Sequence, residues 1–421
     1  MRVLFAPHGT RGDVEPLVAL GLGLRDSDHD VSFLVPDNLV AWIRGYAFPC
    51  EPNGVDAEAV LRSPGADLAS FRWQMQHFRT VLVPALFESF MRVDLNVDLI
   101  VGAGVQLAAS SAAEWKDIAY ASAVFCPCVV PNGDAPPPAV RTQTLPRWVN
   151  RVLWQIGVPI GGLALRGLIN DGRERLGLEP ISNPLSLLGS QPVIVAADRD
   201  LAPLADDAPE SVVATDAWIL DEPAPYVDPR VDAFLDEDPP PIYVGFGSMV
   251  AKNAAQLASH AVDAVRAVGR RLILASGWAS LDRHLAVDIA ADDVLVVSGL
   301  PHRAVFPRVA AVVHHGGAGT TTAAARAGVP QVILPHILDQ YYWGHRVEQL
   351  GLGPRALPVE LVTADILADR IATAIEDWSI RERTRSLGPA IAARNGVGDA
   401  IDHLERIARR ETAAGRRSAG L

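Results

Sequence analysis

The sequence predicts an α/β protein built from two parallel-sheet domains. Short apolar runs alternate with longer amphipathic runs along the chain. The apolar runs are rich in valine and isoleucine without polar–apolar alternation, which is typical of strands covered by helices on both faces. A length of 421 residues also exceeds what one ordinary hydrophobic core supports.

The predicted strands form two groups, separated by a proline- and aspartate-rich region. The pattern predicts strands at 2–7, 31–36, 98–103 and 193–197, one more at 212–220, and a second group at 242–248, 271–276, 294–299, 310–315 and 331–336. We therefore expect an N-terminal domain over 1–205, a linker region over 206–240 and a C-terminal domain over 241–395. Residues 396–421 should form a helix that returns to the N-terminal domain and ends in a frayed tail.

Composition narrows the class of protein. The net charge is −12 and the basic residues are scattered, which argues against nucleic-acid binding. The three cysteines do not fit a disulfide framework, and the spacing of Cys126 and Cys128 fits neither a redox pair nor a zinc pair. The chain opens directly on a strand, and no uninterrupted apolar run approaches 18 residues, so we expect a soluble cytoplasmic protein.

The most informative stretch is HHGGAGTTTAAARAGVP at 314–330. An apolar strand precedes it and an alanine-rich helix follows, ending at Gly328. A glycine-rich strand-to-helix turn lets backbone N–H groups and a helix N-terminus face an anion, most often a phosphate. The alternative is a tight turn that needs glycine only for its backbone angles.

A second polar turn, HGTRGD, follows the first strand and precedes a helix expected to begin near Pro16. Asp13 has two interpretations here. It is an N-cap, with Glu15 adding charge to the same turn, or it is a general base whose pKa is raised by partial burial.

Other polar groups also follow predicted strands. They are Ser248, Trp278, His302 and the neighbouring pair Asp339 and Gln340. Ligands of open α/β sheets bind outside the carboxyl ends of the strands, so two such domains would bring these side chains toward one crevice.

Taken together, GTRGDVEPLVAL, PPPIYVGFGS and the tract from 309 to 340 resemble the family 1 glycosyltransferases of the GT-B fold. The likeness is strongest to bacterial enzymes that glycosylate glycopeptide and macrolide antibiotics. This resemblance implies two Rossmann-like domains facing a central cleft, with the acceptor bound by the first and the nucleotide-sugar by the second. It implies an inverting hexosyltransferase that needs neither metal nor cofactor.

The resemblance also assigns roles. Asp13 would be the catalytic base, in a position where many relatives carry histidine, and Asp339 is a second catalytic candidate. His315 would donate to the diphosphate, and the Asp339–Gln340 pair would hold sugar hydroxyls. The predicted nucleotide-sugar-binding residues are Thr10, Arg11, Ser248, Trp278, His315, Gly317, Ala318, Gly319, Thr320, Asp339 and Gln340.

Some positions depart from the plant signature of this family. Gly299 and His302 stand where the plant enzymes carry a base-stacking tryptophan and a glutamine, and Ala323 stands in place of a ribose-binding glutamate. The choice between a UDP-sugar and a dTDP-sugar therefore stays open.

The predicted partners are the nucleotide-sugar donor and a hydrophobic small-molecule aglycone, in a monomer or homodimer. The acceptor would lie against residues 71–90 and 131–140. A lipid acceptor would add a peripheral membrane contact. The alternatives are a sterol or lipid glycosyltransferase, a nucleotide-sugar epimerase and an inactive auxiliary partner of a transferase. A dehydrogenase is weaker, because VGAGVQLA at 101–108 lacks the third glycine of its fingerprint.

Overall fold

The computed structural model describes residues 1–63, 65–67, 70–221, 226–247, 254–277 and 292–418. The chain divides into two compact units. The first comprises residues 1–137, 144–220 and 395–421, and the second comprises 138–143 and 221–394.

The first unit is built on a parallel sheet of seven strands in the order β3-β2-β1-β4-β5-β6-β7. In register, Val3 of β1 lies between Val31 of β2 and Leu99 of β4. The strands are β1 (Arg2–His8), β2 (Asp30–Val35), β3 (Cys50–Pro52), β4 (Leu99–Gly104), β5 (Ala119–Val124), β6 (Val193–Ala196) and β7 (Val212–Thr215).

The second unit carries a five-stranded parallel sheet in the order β10-β9-β8-β11-β12. Its strands are β8 (Ile242–Gly245), β9 (Leu272–Ala275), β10 (Val294–Val297), β11 (Ala311–His314) and β12 (Gln331–Ile333). The predicted two-sheet α/β fold is therefore confirmed. Sequence reasoning missed β3 and β5; β5 has the sequence AYASAV, in which small residues replace the branched apolar run that marks the other strands.

Helices follow most strands, as parallel sheets require. They are α1 (Arg11–Asp26), α2 (Val40–Arg44), α3 (Ala57–Arg62), α4 (Phe71–His77), α5 (Val83–Arg92), α6 (Ala109–Lys116), α7 (Arg147–Arg175), α8 (Pro229–Asp236), α9 (Ala254–Ala267), α10 (His302–Val305), α11 (Ala318–Arg326), α12 (Gln340–Leu350), α13 (Ala364–Glu376), α14 (Trp378–Ala392) and α15 (Gly396–Ser418). A π-helical turn, Phe78–Leu82, joins α4 to α5, and short 3-10 turns occur at Asp37–Leu39, Pro127–Val129, Pro184–Gly189, Phe306–Arg308 and Val359–Leu361.

The region expected as a linker is divided between the two units. Strand β7 pairs with β6 in the first sheet, whereas α8 belongs to the second unit. Burial explains the division, because Val212 and Trp218 are covered in the first unit, and Val231 and Leu235 pack into a core of the second. The C-terminal helix α15 contacts α1, β5 and β7 of the first unit, with Ala400 and Leu404 fully buried.

Helix α7 bears on the expectation that no apolar run approaches the length of a membrane span. By length and composition it is the one described helix that could cross a membrane, and 28 % of its most apolar stretch is buried. The expectation considered only uninterrupted apolar runs, and Gln155 and Arg166 interrupt the apolar sequence of α7. A membrane-spanning helix can, however, contain one or two polar residues. The core helices of soluble proteins can have the same length and composition, so this property of α7 does not by itself place the protein in a membrane.

A buried arginine anchors the C-terminal end of α7. The Arg173 guanidinium is almost completely covered and forms a two-pronged ion pair with Glu114 of α6, at 2.7 and 2.8 Å. It also donates to Ser111 Oγ and to the Glu179 carbonyl. Because a buried cation that loses its counter-ion remains desolvated, this pair should matter more than the surface pairs.

We predict that Glu114→Gln lowers the free energy of unfolding by about 1–3 kcal/mol, since it leaves the Arg173 charge without a full partner. The matched control is Glu88→Gln, whose carboxylate lies 3.6 Å from Arg92 with both side chains more than half exposed. The control should change stability by no more than about 0.5 kcal/mol. Urea unfolding of both variants makes the comparison, and equal effects would contradict the role given to Arg173.

Candidate functional site

Each sheet has one place where the strand order reverses direction. In the first sheet it lies between β1 and β4, and in the second between β8 and β11. The helices that follow the two strands at such a point run to opposite faces of the sheet, which leaves a crevice beyond the carboxyl ends of the strands. The two turns singled out from the sequence follow β1 and β11, so each lies at the reversal point of its own unit.

In the first unit, Asp13 lies inside helix α1 and not before it. The helix begins at Arg11, five residues earlier than expected, with Thr10 as its N-cap. Asp13 is the third helical residue, and its carboxylate completes a capping box by accepting from the Thr10 backbone N–H at 2.8 Å. The N-cap interpretation of Asp13 is therefore wrong, although the side chain does stabilise the helix start. Pro16 is the sixth residue of the helix and lies beyond the first turn, the part of a helix where proline is usual.

The Asp13 carboxylate is closely confined. A Cβ atom on Gly9 would lie 2.1 Å from Asp13 Oδ2, and one on Gly104, at the end of β4, would lie 3.1 Å from Oδ1. Both glycines have positive φ and leave room that no other residue would. Thr10 engages Oδ2 through both its backbone N–H and its hydroxyl group, so Oδ1 is the oxygen that keeps capacity for a ligand.

Burial raises the pKa of Asp13 to about 6, against the lowering effect of the hydrogen bonds from Thr10. The carboxylate is therefore charged at pH 7 and basic enough to accept a proton. The neighbouring His8 is buried and bonds to the Asn53 amide at 3.1 Å, and burial lowers its pKa to about 4. Of the two groups, Asp13 is therefore the stronger base.

The same unit contains a cavity of about 480 Å³, whose lining includes Gly54, next to the Asn53 that bonds to His8. The rings of Trp73 and His77 stack in its wall with centroids 5.2 Å apart, and His77 is near enough to His8 to affect its pKa. The cavity is lined by Gly54, Val55, Asp56, Ala59, Val60, Ser63, Trp73, Gln76, His77, Thr80 and Val81. Part of the 71–90 segment therefore lines a space of the size that binds small molecules.

In the second unit, the two adjacent histidines have different environments. His314 is fully buried, with one ring nitrogen 3.0 Å from the Gln331 amide oxygen and the other accepting from the Gly316 N–H. Both of its nitrogens are used inside the protein, which makes it structural. His315 is the first residue after β11, and its Nδ1 is buried without a partner among the described residues.

The His315 imidazole lies against the start of helix α11. A Cβ atom on Gly317, the N-cap of that helix, would lie 2.5 Å from His315 Nε2. The first N–H groups of α11, at Ala318, Gly319 and Thr320, have no acceptor within the helix. The His315 ring and the N-terminus of α11 together form a compact set of hydrogen-bond donors suited to an anion.

The free protein keeps His315 neutral. Burial, together with His314, His336 and His302, holds the pKa of His315 well below its usual value. It therefore donates to an anion either as a neutral imidazole or after taking up a proton when the anion binds.

Asp339 and Gln340 lie at the junction of the loop after β12 and helix α12. Asp339 is the N-cap residue, and its side chain makes no capping hydrogen bond to the start of the helix. The Gln340 side-chain oxygen accepts from the backbone N–H groups of His336 and Ile337, at 2.8 and 3.1 Å. The Gln340 oxygen thus fixes the loop, and a direct sugar contact from Gln340 would have to use its amide nitrogen.

The remaining predicted residues lie elsewhere. Thr10 and Arg11 are in the first unit, where Arg11 pairs with Glu15 at 2.7 Å and stacks on the Trp42 ring. Ser248 and Trp278 lie outside the described residues. Sequence reasoning missed Asn53 and His336, because neither belongs to a glycine-rich turn. The described part of the chain holds no cluster of three or more residues arranged to bind a metal.

Comparison with known proteins identifies the family. Residues 261–406 match the C-terminal domain of the erythromycin biosynthesis protein CIII-like family. The chain is 36% identical over 404 residues to a vancomycin aglycone glucosyltransferase of Amycolatopsis orientalis, covering 94% of this chain and 96% of that one. The chain is an antibiotic-type glycosyltransferase. This confirms the resemblance drawn from the motifs and places the enzyme among transferases and not epimerases.

Two further matches span the glycosyltransferase. It is 30% identical over 441 residues to an O-mycaminosyltylonolide 6-deoxyallosyltransferase of Streptomyces fradiae, covering 98% of this chain and 99% of that one. Its fold matches the crystal structure of the glycosyltransferase VinC in complex with dTDP, with a TM-score of 0.65 and 20% identity over 97% of this chain and 100% of that one. The GT-B fold therefore extends over both units of the glycosyltransferase.

The contact between Gly317 and His315 generates a prediction about anion binding. Gly317→Ala should push the imidazole away from the helix N-terminus and so weaken binding of dTDP or UDP. His315→Ala should cost about 1.5–3 kcal/mol, or roughly 10- to 150-fold in affinity. Because both changes remove the same hydrogen bond, the double variant should bind no more weakly than His315→Ala alone.

Calorimetric titration with dTDP and UDP measures these affinities. Gly167→Ala serves as the control, because a Cβ atom there meets nothing within 4 Å. Fully additive effects of the two changes, or wild-type affinity in Gly317→Ala, would show that His315 does not hold the anion.

Proposed function

We propose that this glycosyltransferase transfers a sugar, with inversion, from a dTDP- or UDP-sugar to a hydroxyl group of a bulky apolar aglycone. Asp13 acts as the general base. The observation that carries the proposal is the Asp13 carboxylate at the reversal point of the first sheet, with one oxygen fixed by Thr10, the other available and a pKa of about 6.

In the proposed reaction, Asp13 accepts the proton of the acceptor hydroxyl. The resulting oxygen nucleophile attacks the anomeric carbon of the donor sugar, and the bond from that carbon to the diphosphate oxygen breaks. The leaving diphosphate is stabilised by the N–H groups at the start of α11 and by His315. We assign this charge stabilisation to the protein, so activity should not depend on a divalent cation.

We assign the donor to the second unit because of the hydrogen bonds that its diphosphate requires. A diphosphate needs several converging N–H donors, and the turn from 315 to 320 supplies them within one short stretch. The dTDP named in the VinC structure supports a nucleoside diphosphate of this kind. Asp339, as a carboxylate beside the same turn, is assigned to sugar hydroxyls and is the second candidate for proton transfer.

The acceptor is assigned to the first unit. The cavity near His77 gives it one apolar and aromatic wall. Helix α7 offers an exposed apolar face of Trp148, Val152, Ile156, Ile160 and Leu163, spaced three or four residues apart. Loop 131–137 is anchored to this helix, because Asn150 and Trp154 donate to the carbonyls of Gly133 and Ala135. Such a surface favours a large hydrophobic aglycone, and the same face makes a lipid acceptor the second candidate.

We predict that Asp13→Asn removes most turnover, by about 10²- to 10⁴-fold, while preserving the fold. Asparagine retains the oxygen that accepts from Thr10 but cannot take up a proton. Because burying the Asp13 charge is unfavourable at neutral pH, the melting temperature at pH 7 should stay the same or rise. In the wild type, kcat/KM should fall as the pH drops below about 6, since the base is then protonated.

Steady-state rates with a verified acceptor, measured at a series of pH values from about 5 to about 8, test this assignment. Glu15→Gln is the matched control, because it neutralises an exposed carboxylate on the same helical turn and should keep both the rate and the acidic limb. Near-normal turnover in Asp13→Asn would refute the general-base role. An acidic limb that persists in Asp13→Asn and disappears only when Asp339→Asn is added would instead assign proton transfer to both carboxylates.

A further inference from the structure

His336 lies in the loop between β12 and α12 and has no place in the mechanism above. It is 8 % exposed, and its Nδ1 lies 2.9 Å from the Leu334 carbonyl oxygen. A carbonyl only accepts hydrogen bonds, so the proton of the neutral ring is on Nδ1 and the lone pair is on Nε2. Nε2 is buried and has no partner among the described residues. Buried acceptors are normally paired, so this one requires an explanation.

The position of the ring supplies one. The His336 imidazole packs against Phe246, which directly follows β8, with centroids 5.6 Å apart. The next residue, Gly247, faces His315: a Cβ atom there would lie 3.4 Å from the His315 ring. His336 and His315 therefore flank the end of the same strand, at the reversal point of the second sheet. Each has one buried nitrogen that lacks a partner in the described part of the chain.

The loop holds His336 in place. Gln340 accepts hydrogen bonds from the backbone N–H groups of His336 and Ile337, and Leu338 adopts the left-handed conformation with φ of 50°. The Gln340 oxygen is occupied by these backbone groups. Besides the Asp339 carboxylate, His336 Nε2 is therefore a further fixed acceptor in this loop for a ligand hydroxyl.

We propose that His336 Nε2 accepts a hydrogen bond from a hydroxyl group of the donor sugar and thereby contributes to the choice of sugar. This rests on the proposed function, in which the 315–320 turn holds the diphosphate. His336 is a specificity-determining residue here and takes no part in proton transfer. The contact satisfies its lone pair only when a sugar is attached, so it should distinguish a nucleotide-sugar from the free nucleotide.

The test compares two ligands on two variants. Affinities for dTDP and dTDP-glucose, and for UDP and UDP-glucose, are measured by calorimetry on the wild type, on His336→Leu and on His336→Asn. His336→Leu should bind the nucleotide-sugar roughly 3- to 10-fold more weakly, the range for one neutral hydrogen bond, and the free diphosphate within about 2-fold of wild type. His336→Asn keeps a polar group in the loop, so its affinity for the nucleotide-sugar should lie between those of the wild type and His336→Leu.

His345→Leu is the matched control, since His345 is a half-buried histidine on α12 outside the proposed contacts and should bind both ligands normally. A set of mono-deoxyglucose nucleotides adds the decisive comparison. One deoxy analogue should bind His336→Leu and the wild type equally, because it lacks the hydroxyl that His336 recognises.

Three outcomes are informative. Equal weakening of free diphosphate and nucleotide-sugar in both variants would assign His336 a purely structural role and overturn the proposal. Unchanged affinity for both ligands would overturn it as well. Failure of the proposed function appears separately, as wild-type dTDP and UDP affinity in His315→Ala, which tests the diphosphate turn without involving His336.

Discussion

The reversal of strand order in each sheet is the constraint on which the site depends. In a parallel sheet every strand ends at the same edge, and helices normally cover both faces. Only where two adjacent strands send their helices to opposite faces does that edge stay open. In this chain the pairs are β1 with β4 and β8 with β11, and the polar turns after β1 and β11 sit at the two openings. The proposed base and the proposed diphosphate turn thus each follow one of these strands.

Desolvation at these openings acts on the two principal groups in opposite senses. It raises the pKa of Asp13, so the carboxylate becomes a stronger base, and it lowers the pKa of His315, so the imidazole loses its charge. The first unit therefore holds a base ready to accept a proton. The second holds a neutral histidine, whose proposed affinity for an anion would come from hydrogen bonding and the helix N-terminus. At pH 7 the free enzyme therefore carries a charged carboxylate at Asp13 and an uncharged imidazole at His315.

Much of the fold was readable from the sequence, because buried parallel strands are apolar throughout and glycine-rich turns stand out between them. Strand β5 was not, since AYASAV lacks that composition. The start of α1 was misplaced because Pro16 suggested a first turn, whereas the Thr10–Asp13 capping box set it five residues earlier. Propensity gave one answer there and side-chain hydrogen bonding another.

The site was only partly predictable for a similar reason. Glycines and paired histidines marked the 314–320 turn, but the direction of each histidine depends on Gln331 and Gly317, which only the folded chain brings close. His336 carries no local signal, and its significance comes from a buried lone pair beside Phe246. Exposure of the apolar face of α7 likewise depends on which side of the helix packs inward, which periodicity alone does not decide.

The most direct test of the central claim is the configuration of the product. A single displacement with Asp13 as base must invert the anomeric carbon, because the acceptor oxygen attacks opposite the departing diphosphate. With UDP-α-glucose or dTDP-α-glucose as donor and 4-methylumbelliferone as surrogate acceptor, proton NMR of the anomeric signal reads the configuration. The account predicts a β-glucoside, recognised by the large coupling of a trans-diaxial anomeric proton. An α-glucoside would contradict it, since retention requires a second displacement or a front-side attack that Asp13 as a simple base does not provide.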